Sequence, residues 1–296
     1  MEIVAQLFVY SILSGSIYAL ASSGLALVYG LLRVLNFAHG HLMMLGAYLF
    51  YFVHIQQAQG LWLSAAVTIA ITSLLALGMF KVFVLPFTRF SLLLTLVTTL
   101  ALSNILEAIV SMLFGVNVKS LSQGSFAESY QVAGIYITST QVVIIGSALS
   151  LLSLLAYIIH STSIGRKIRA LSEHPYAAES IGISQKKISY LVFVIGTLLA
   201  AYAGILVGFE TNMQPTMGNA YTIKAFAAMI LGGLGNIWGA IVGSFILGFI
   251  ENFSIGMEFG GISVPAGYKD AFAFAIILLV LLFRPQGLFG VKQRAS

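Results

Sequence analysis

The chain has 296 residues, of which 59% are hydrophobic and 8% charged, with a net charge of +5 and no cysteine. Soluble domains carry about a quarter of their residues as Asp, Glu, Lys and Arg, so a surface this poor in charge must largely face lipid. One membrane domain spanning 1–296 leaves no room for a soluble catalytic domain, and the missing cysteines exclude disulfides, thiolate metal sites and cysteine nucleophiles.

The first apolar run, 3–29, carries no charge. A secretory signal would open on basic residues and close on a small-residue cleavage site. Here the early charge is Glu2 and the first basic residue, Arg33, follows the run, so we read a retained first span. A helix needs about 20 apolar residues to cross roughly 30 Å of hydrocarbon. The following candidates are 38–53, 61–80, 91–114, 138–159 and 188–209. The stretch 225–250 is broken by Gly232-Gly233-Leu234-Gly235-Asn236, and 271–283 is short, bounded by Lys269-Asp270 and Arg284-Pro285. The fold class is all-α, a polytopic membrane bundle with about eight hydrophobic passes.

Lys and Arg gather in cytoplasmic loops, and here they fall unevenly. Alternating loops place Arg33, Lys81, Arg89, Arg166, Lys167, Arg169, Lys186, Lys187, Arg284, Lys292 and Arg294 on one side. The other side receives Lys119, Lys224 and Lys269 with Glu2, Glu128, Glu210, Glu251, Glu258 and Asp270. The N-terminus is thus expected outside and the C-terminus in the cytoplasm. The net basic charge reads as membrane orientation, and no nucleic-acid partner is expected.

Parity then constrains 225–250. Six crossings bring the chain outside at Glu210, and one last span returns it, so this stretch must enter and leave on one side. Two half-helices hinged at the glycines satisfy that, and so does a full hairpin. Broken helices mark transport sites in many transporter folds; an ordinary glycine-rich packing helix is the plainer alternative. Asn36 followed by Gly40 and Gly46 echoes Asn236 followed by Gly239 and Gly243, a pattern that would suit an inverted repeat.

The loop 161–187 is the most informative segment. His174-Pro175 opens a helix well, because proline at the first helical position lacks an N–H that would be unpaired anyway. Gly182 is a plausible stop. The two-turn helix between them would present Ala177, Ala178 and Ile181 as a small apolar face. It is too short to stand alone and suits a groove on a cytoplasmic partner.

Ala177-Ala178, three residues, then Gly182 resembles part of the coupling motif of bacterial ABC importer permeases, with Tyr176 where that motif has Glu. The segment from Tyr29 to His41 with Gly46-Ala47-Tyr48, the segment from Ile230 to Ala240, and the closing Phe283-Arg284-Pro285-Gln286-Gly287-Leu288-Phe289-Gly290 resemble the LivH-type permeases for branched-chain amino acids. The similarity covers nearly the whole chain. It implies an inner-membrane machine containing a second homologous permease, two cytoplasmic ATPase subunits and an extracytoplasmic substrate-binding protein. The coupling helix would then comprise Pro175, Tyr176, Ala177, Ala178, Glu179, Ile181 and Gly182. A Gly182→Arg or Ala178→Asp change is expected to leave the chain inserted and uncouple transport. Consistently, the chain contains no Gly-x-x-x-x-Gly-Lys-Ser/Thr phosphate loop.

Candidate pathway residues are Asn36, His39, Asn104, Glu107, Gly233, Gly235 and Asn236. Glu107 is read as the one carboxylate inside a span; it either lines the pathway or reaches the interface, with Asn104 one turn before it as a hydrogen-bond partner. Asn36, His39 and His41 are placed at the inner mouth of the second span. His39 and His41 do not share a helix face, so no metal site is expected; Asn36 reads first as a cap and second as a gate. Asn236 could cap a half-helix whose N-terminal dipole faces a substrate carboxylate. No cofactor and no enzymatic activity are expected, since the histidines and carboxylates form no metal or acid–base set. Urea or short amides are the alternative cargo, and an ATPase-independent secondary transporter or channel is the alternative of another class.

Overall fold

A computed structural model describes residues 2–88, 90–122, 129–132, 134–256 and 265–290. Arg89, Glu128, Glu258, Lys292 and Arg294, which entered the charge argument above, lie outside the described residues.

Helix α1 (Glu2–Leu32) is the axis of the bundle, buried on nearly every side from Ser11 to Val28. Its face-independent apolarity explains this, since a helix hydrophobic all round belongs in an interior. α9 (Gln185–Glu210) and α11 (Ile237–Gly256) pack along it. The outer helices α3 (Leu61–Met79), α5 (Leu92–Phe114) and α6 (Ser139–Ser161) each bury one narrow stripe instead. On α3 that stripe is Ser64, Thr68, Thr72 and Ala76, spaced by four; on α5 it includes Thr95, Thr99 and Ser103. Small and hydroxyl residues face inward because lipid supplies no hydrophobic drive between helices, so close backbone approach and hydrogen bonds hold them. Most of the large apolar side chains of α3 and α5 face outward, whereas α6 turns Ile144, Leu152 and Leu155 inward.

Among the described residues, six helices are long and apolar enough to cross a membrane: Glu2–Leu32, Leu61–Thr88, Leu92–Phe114, Ser139–Ser161, Gln185–Glu210 and Ile237–Ile255. The second of these runs from α3 through a π-helical turn, Phe80–Val84, into α4 (Leu85–Thr88). α2 (His39–Tyr51), α10 (Met217–Gly232) and α12 (Lys269–Phe283) are shorter, at 13, 16 and 15 residues. Length alone therefore supports six crossings, and the other three helices do not each need to be one. Between α5 and α6, β1 (Ser129–Val132) pairs antiparallel with β2 (Ile135–Thr138).

The two ends of the bundle differ. One carries Arg33, α7 (Ser163–Glu173) and α8 (Pro175–Ser180), and we term it the basic end. The glycine turn lies there: the Gly235 carbonyl approaches Gly30 in the last turns of α1, and Leu288 and Phe289 donate their N–H groups to Leu231 and Gly232. Gly233 (φ 118) and Gly235 (φ 79) adopt backbone conformations that only glycine takes without strain. Of the two arrangements that parity allowed, α10 and α11 thus form the hairpin, with their turn at the end of the bundle rather than a hinge at mid-depth.

Burial overturns part of the charge map. Glu251 and Lys224, assigned to outer loops, meet inside the bundle, with Lys269 and the half-exposed Asp270 at the edge of the same network. Glu251 is fully buried on α11 and receives Lys224 Nζ at 3.1 Å and 3.3 Å on its two oxygens. Tyr18 of α1 donates to the same carboxylate at 2.7 Å, and Lys224 also meets Asp270 at 2.8 Å. At about 1.5 Å per residue, Tyr18 and Glu251 each lie some 21 Å from the basic end of their helices. The network fastens α10, α11 and α12 to α1. Breaking one member of a buried ion pair typically costs about 3–5 kcal/mol. Glu251→Leu is therefore expected to lower the thermal unfolding midpoint in detergent sharply, whereas Glu179→Gln at the exposed end should leave it unmoved.

Candidate functional site

Two places bring polar groups together with evident purpose. The first is the connection at the basic end. Thr162 Oγ1 accepts the Gly165 N–H at 3.2 Å and starts α7, which buries Ile168 and Leu171 and exposes Arg166 and Lys167. Arg169 donates to the Ile159 carbonyl and ties α7 back to α6. His174 ends α7 and Pro175 begins α8, as the His174-Pro175 pair foretold. Gly182 closes it: φ is +87, and its N–H donates to Glu179 at 2.9 Å.

The exposed face of α8 differs from expectation. Ala178 is 2% exposed and packs against its own chain, whereas Tyr176 is 88% and Ile181 76% exposed, with Ala177 and Glu179 open beside them. The small apolar face is thus split: Ala178 seats the helix, and Tyr176, Ala177 and Ile181 are free for a partner. Beneath α7, a cavity of about 660 Å³ is lined by Arg33, Arg169, Glu173, Gly235, Asn236 and Trp238 among others. Asn236 accepts the Gly239 N–H at 3.1 Å, capping α11 as expected, and its amide donates to the Phe289 carbonyl. That places Asn236, Gly233 and Gly235 at the basic end, far from mid-depth.

The second place is inside the bundle. After α1 the chain turns at Arg33, which holds a left-handed φ of 54, and runs back along the bundle through 34–38 before α2 starts. The Phe37 N–H finds Thr99 Oγ1 at 3.3 Å and the Ala38 N–H finds Asn36 Oδ1 at 3.1 Å. His39 Nε2 contacts the carbonyl of Ala21 at 2.8 Å. Ala21 precedes the end of α1 by eleven residues, about 16 Å along the axis. The start of α2 is therefore at mid-depth and not at the inner mouth. Asn36 is buried and acts as the turn former, and His39 is a buried brace; neither reaches an open surface.

α10 begins at the same place. Thr222 Oγ1 accepts the Gly40 N–H at 3.0 Å and donates to the Gly218 carbonyl at 2.7 Å, stitching the first turns of the two helices together. Their N-terminal ends converge on Glu107 of α5. His41 Nε2 lies 3.3 Å and Asn219 Nδ2 3.0 Å from the same Glu107 oxygen, Oε2. His41 and Asn219 each occupy the third position of their helix, so two positive helix ends complement the carboxylate. Glu107 is 24% exposed while His41 is 1% exposed. The amide partner of Glu107 is Asn219, not Asn104, which is exposed one turn closer to the basic end.

The structure thus brings Glu107 together with His41 and Asn219, leaves Asn104 beside them, and separates all four from Gly233, Gly235 and Asn236. Broken helices do occur, but at 33–38 and 211–216. Sequence reading missed Asn219, Thr222 and the Lys224–Glu251 network because it began the seventh hydrophobic segment at Ala225. Starting the helix at Met217 exposes the signal: Asn219, Thr222 and Lys224 then fall within its first eight residues.

Comparisons with known proteins show the family and the fold. A family model described as "Branched-chain amino acid transport system / permease component" matches residues 7–281. The high-affinity branched-chain amino acid transport system permease protein LivH of Escherichia coli K12 is 34% identical, over 93% of this chain and 92% of that one. BraD of Pseudomonas aeruginosa, a permease protein of the same description, is also 34% identical, over 96% and 95%. Among solved structures, PsaBC from Streptococcus pneumoniae in complex with Fab superposes with a TM-score of 0.50 at 14% identity, covering 98% of this chain and 94% of that one; it shares the fold.

A buried donor left without an acceptor costs roughly 1–3 kcal/mol. Thr222→Val, which strips the acceptor from Gly40, is expected to destabilise the purified protein by that order in a thermal melt. Thr222→Ser should recover most of it.

Proposed function

Because the chain belongs to the family of permease components of branched-chain amino acid transport systems, we propose that it is the membrane subunit of an ATP-driven importer for branched-chain or other neutral amino acids. ATP hydrolysis would reside on two separate cytoplasmic subunits. A second, homologous permease and an extracytoplasmic binding protein would complete the assembly. The basic end faces the cytoplasm in this reading, in keeping with the uneven distribution of Lys and Arg, and the membrane is the bacterial inner membrane.

The observation that carries the reading is α8. A six-residue helix cannot be stable by itself, and the chain holds it in place from one side through Ala178 while leaving Tyr176 and Ile181 bare on the other. Large apolar side chains presented on a short knob at the basic end fit a groove on a partner subunit.

Its connections supply a mechanism. α8 is followed within five residues by α9, a helix of 26 residues that packs against α1 and α2. α9 ends at Glu210, and the chain from there leads directly to the start of α10. A partner that shifts α8 moves α9 as a lever and, through it, the meeting point of α2 and α10. A motor drives such a change only if its contacts with the permease differ in energy between the two states.

Ile181→Asp, on the bare face, is expected to abolish co-purification of the ATPase subunits while leaving the thermal midpoint of the permease unchanged. Ala178→Asp should instead lower that midpoint, because the charge would be buried in the chain's own packing. Uptake by Ile181→Asp vesicles at the wild-type rate would remove α8 from the mechanism. Competition of labelled leucine uptake by unlabelled valine but not by urea would fix the cargo class.

A further inference from the structure

Among the described residues, two carboxylates lie inside the membrane-spanning helices away from their ends, Glu107 and Glu251, and they are treated in opposite ways. Glu251 is closed to solvent and contacted by two lysines and a tyrosine. Glu107 has no lysine or arginine within ion-pair distance among the described residues. Both of its polar contacts, His41 and Asn219, fall on one oxygen, Oε2. Among the described residues no contact falls on Oε1. The side chain is nevertheless 24% exposed, on α5, seven residues before the helix ends at Phe114, or about 10 Å.

Lipid cannot hold a carboxylate at that depth at acceptable cost, so an exposed one belongs on a wet or protein-covered face. The side chains around it have the same mixed character. Asn104 is exposed three residues earlier on α5. Ile223, exposed four residues beyond Asn219 on α10, shares a helix face with it. α5 runs away from the basic end and α10 toward it, so Asn104 and Ile223 both lie on the basic-end side of Glu107. A carboxylate with one open oxygen and an exposed amide thus lie one turn apart on α5, and Asn219 joins the carboxylate to an exposed face of α10.

We infer that Glu107, held by His41 and Asn219, is a subsite for the α-ammonium group of the transported amino acid. The inference rests on the importer reading above and specifies one contact within it. Oε2 is spent on positioning and Oε1 is the acceptor for the cargo. A charge-assisted hydrogen bond from an ammonium group is roughly twice as strong as a neutral one, and the exposed face limits it enough for release. The two converging helix ends, with His41 and Asn219 on them, hold the carboxylate at one depth without supplying a fixed cation that would compete with the cargo. An α-ammonium is common to every amino acid, so Glu107 would select the class and leave the side chain to other contacts.

The test uses the assembled complex of permeases and ATPase subunits in lipid vesicles, supplied with leucine-loaded binding protein. Glu107→Gln keeps the size, and its carbonyl oxygen can still accept from His41 and Asn219, so the positioning contacts survive while the charge is lost. The expected result is a complex that assembles and hydrolyses ATP within twofold of the wild type while leucine uptake falls at least tenfold. Glu107→Asp should regain part of the uptake. Leucine uptake within twofold of the wild type in Glu107→Gln would overturn the proposal. So would a parallel loss of assembly, ATP hydrolysis and uptake in Glu107→Gln, which would make Glu107 a brace between helices. Failure of the wild-type chain to co-purify with ATPase subunits would strike the importer reading instead, independently of position 107.

Discussion

Every backbone N–H and C=O within a bilayer must find its partner inside the protein. Continuous helices meet that demand automatically; a chain that breaks its helices must replace each lost bond. The break between α1 and α2 does so with side chains, whereas at 211–216 Met213 pairs its backbone with Lys119. Thr99 takes the Phe37 N–H, Asn36 takes that of Ala38, and Thr222 takes that of Gly40. At the basic end the glycine turn is closed instead by backbone, with Leu288 and Phe289 donating to Leu231 and Gly232. The distinction matters for motion. Hydroxyl and amide acceptors can be exchanged for water in a wet passage, whereas the backbone pairing of the C-terminal segment fastens the hairpin turn of α10 and α11 to the rest of the bundle.

From that requirement the division of labour among helices follows. α1, buried along most of its length, and α11 form the fixed centre, locked by Lys224, Glu251 and Tyr18. α2 and α10 are short helices that start against each other, and Glu107 sits at their shared origin. α9 joins that origin to the exposed knob of α8. A rigid helix of 26 residues spans close to 40 Å, long enough to link the two places without any intermediate chain of side-chain rearrangements.

Much of this was legible from sequence where the signal is local. Pro175 after His174 has one comfortable helical position, and the structure uses it; Gly182 stops the helix through a φ that other residues avoid; Asn236 caps α11 on Gly239. The parity of crossings required 225–250 to return to its starting side, and a hairpin does so. Depth was not legible. Val34, Leu35 and Phe37 are apolar whether they lead a span from the inner surface or climb back through the bundle, so hydropathy placed His39 and His41 at the wrong level. Nor can a window of hydropathy pair charges. Lys224 and Glu251 each looked like a loop residue, because each ended an apolar run; together they neutralise one another and let both helices extend inward past them. The same reasoning explains Ala178: helical spacing put it on a face with Ala177 and Ile181, but only tertiary packing decides which edge of a six-residue helix the chain itself covers.

The contrast between Glu251 and Glu107 shows how one composition supports both a closed joint and an open carboxylate. A carboxylate contacted by lysines on neighbouring helices is costly to desolvate and costly to break, which suits a joint that must not open. A carboxylate faced by helix ends, an imidazole and an amide is oriented without being cancelled by a fixed full charge. Only the second has interaction left for a mobile cation, and only the second lies on an exposed face. Position in the fold decides the difference: Glu251 sits between α1 and α12, where every neighbour is protein, and Glu107 sits on an outer helix at the one depth where two helices begin.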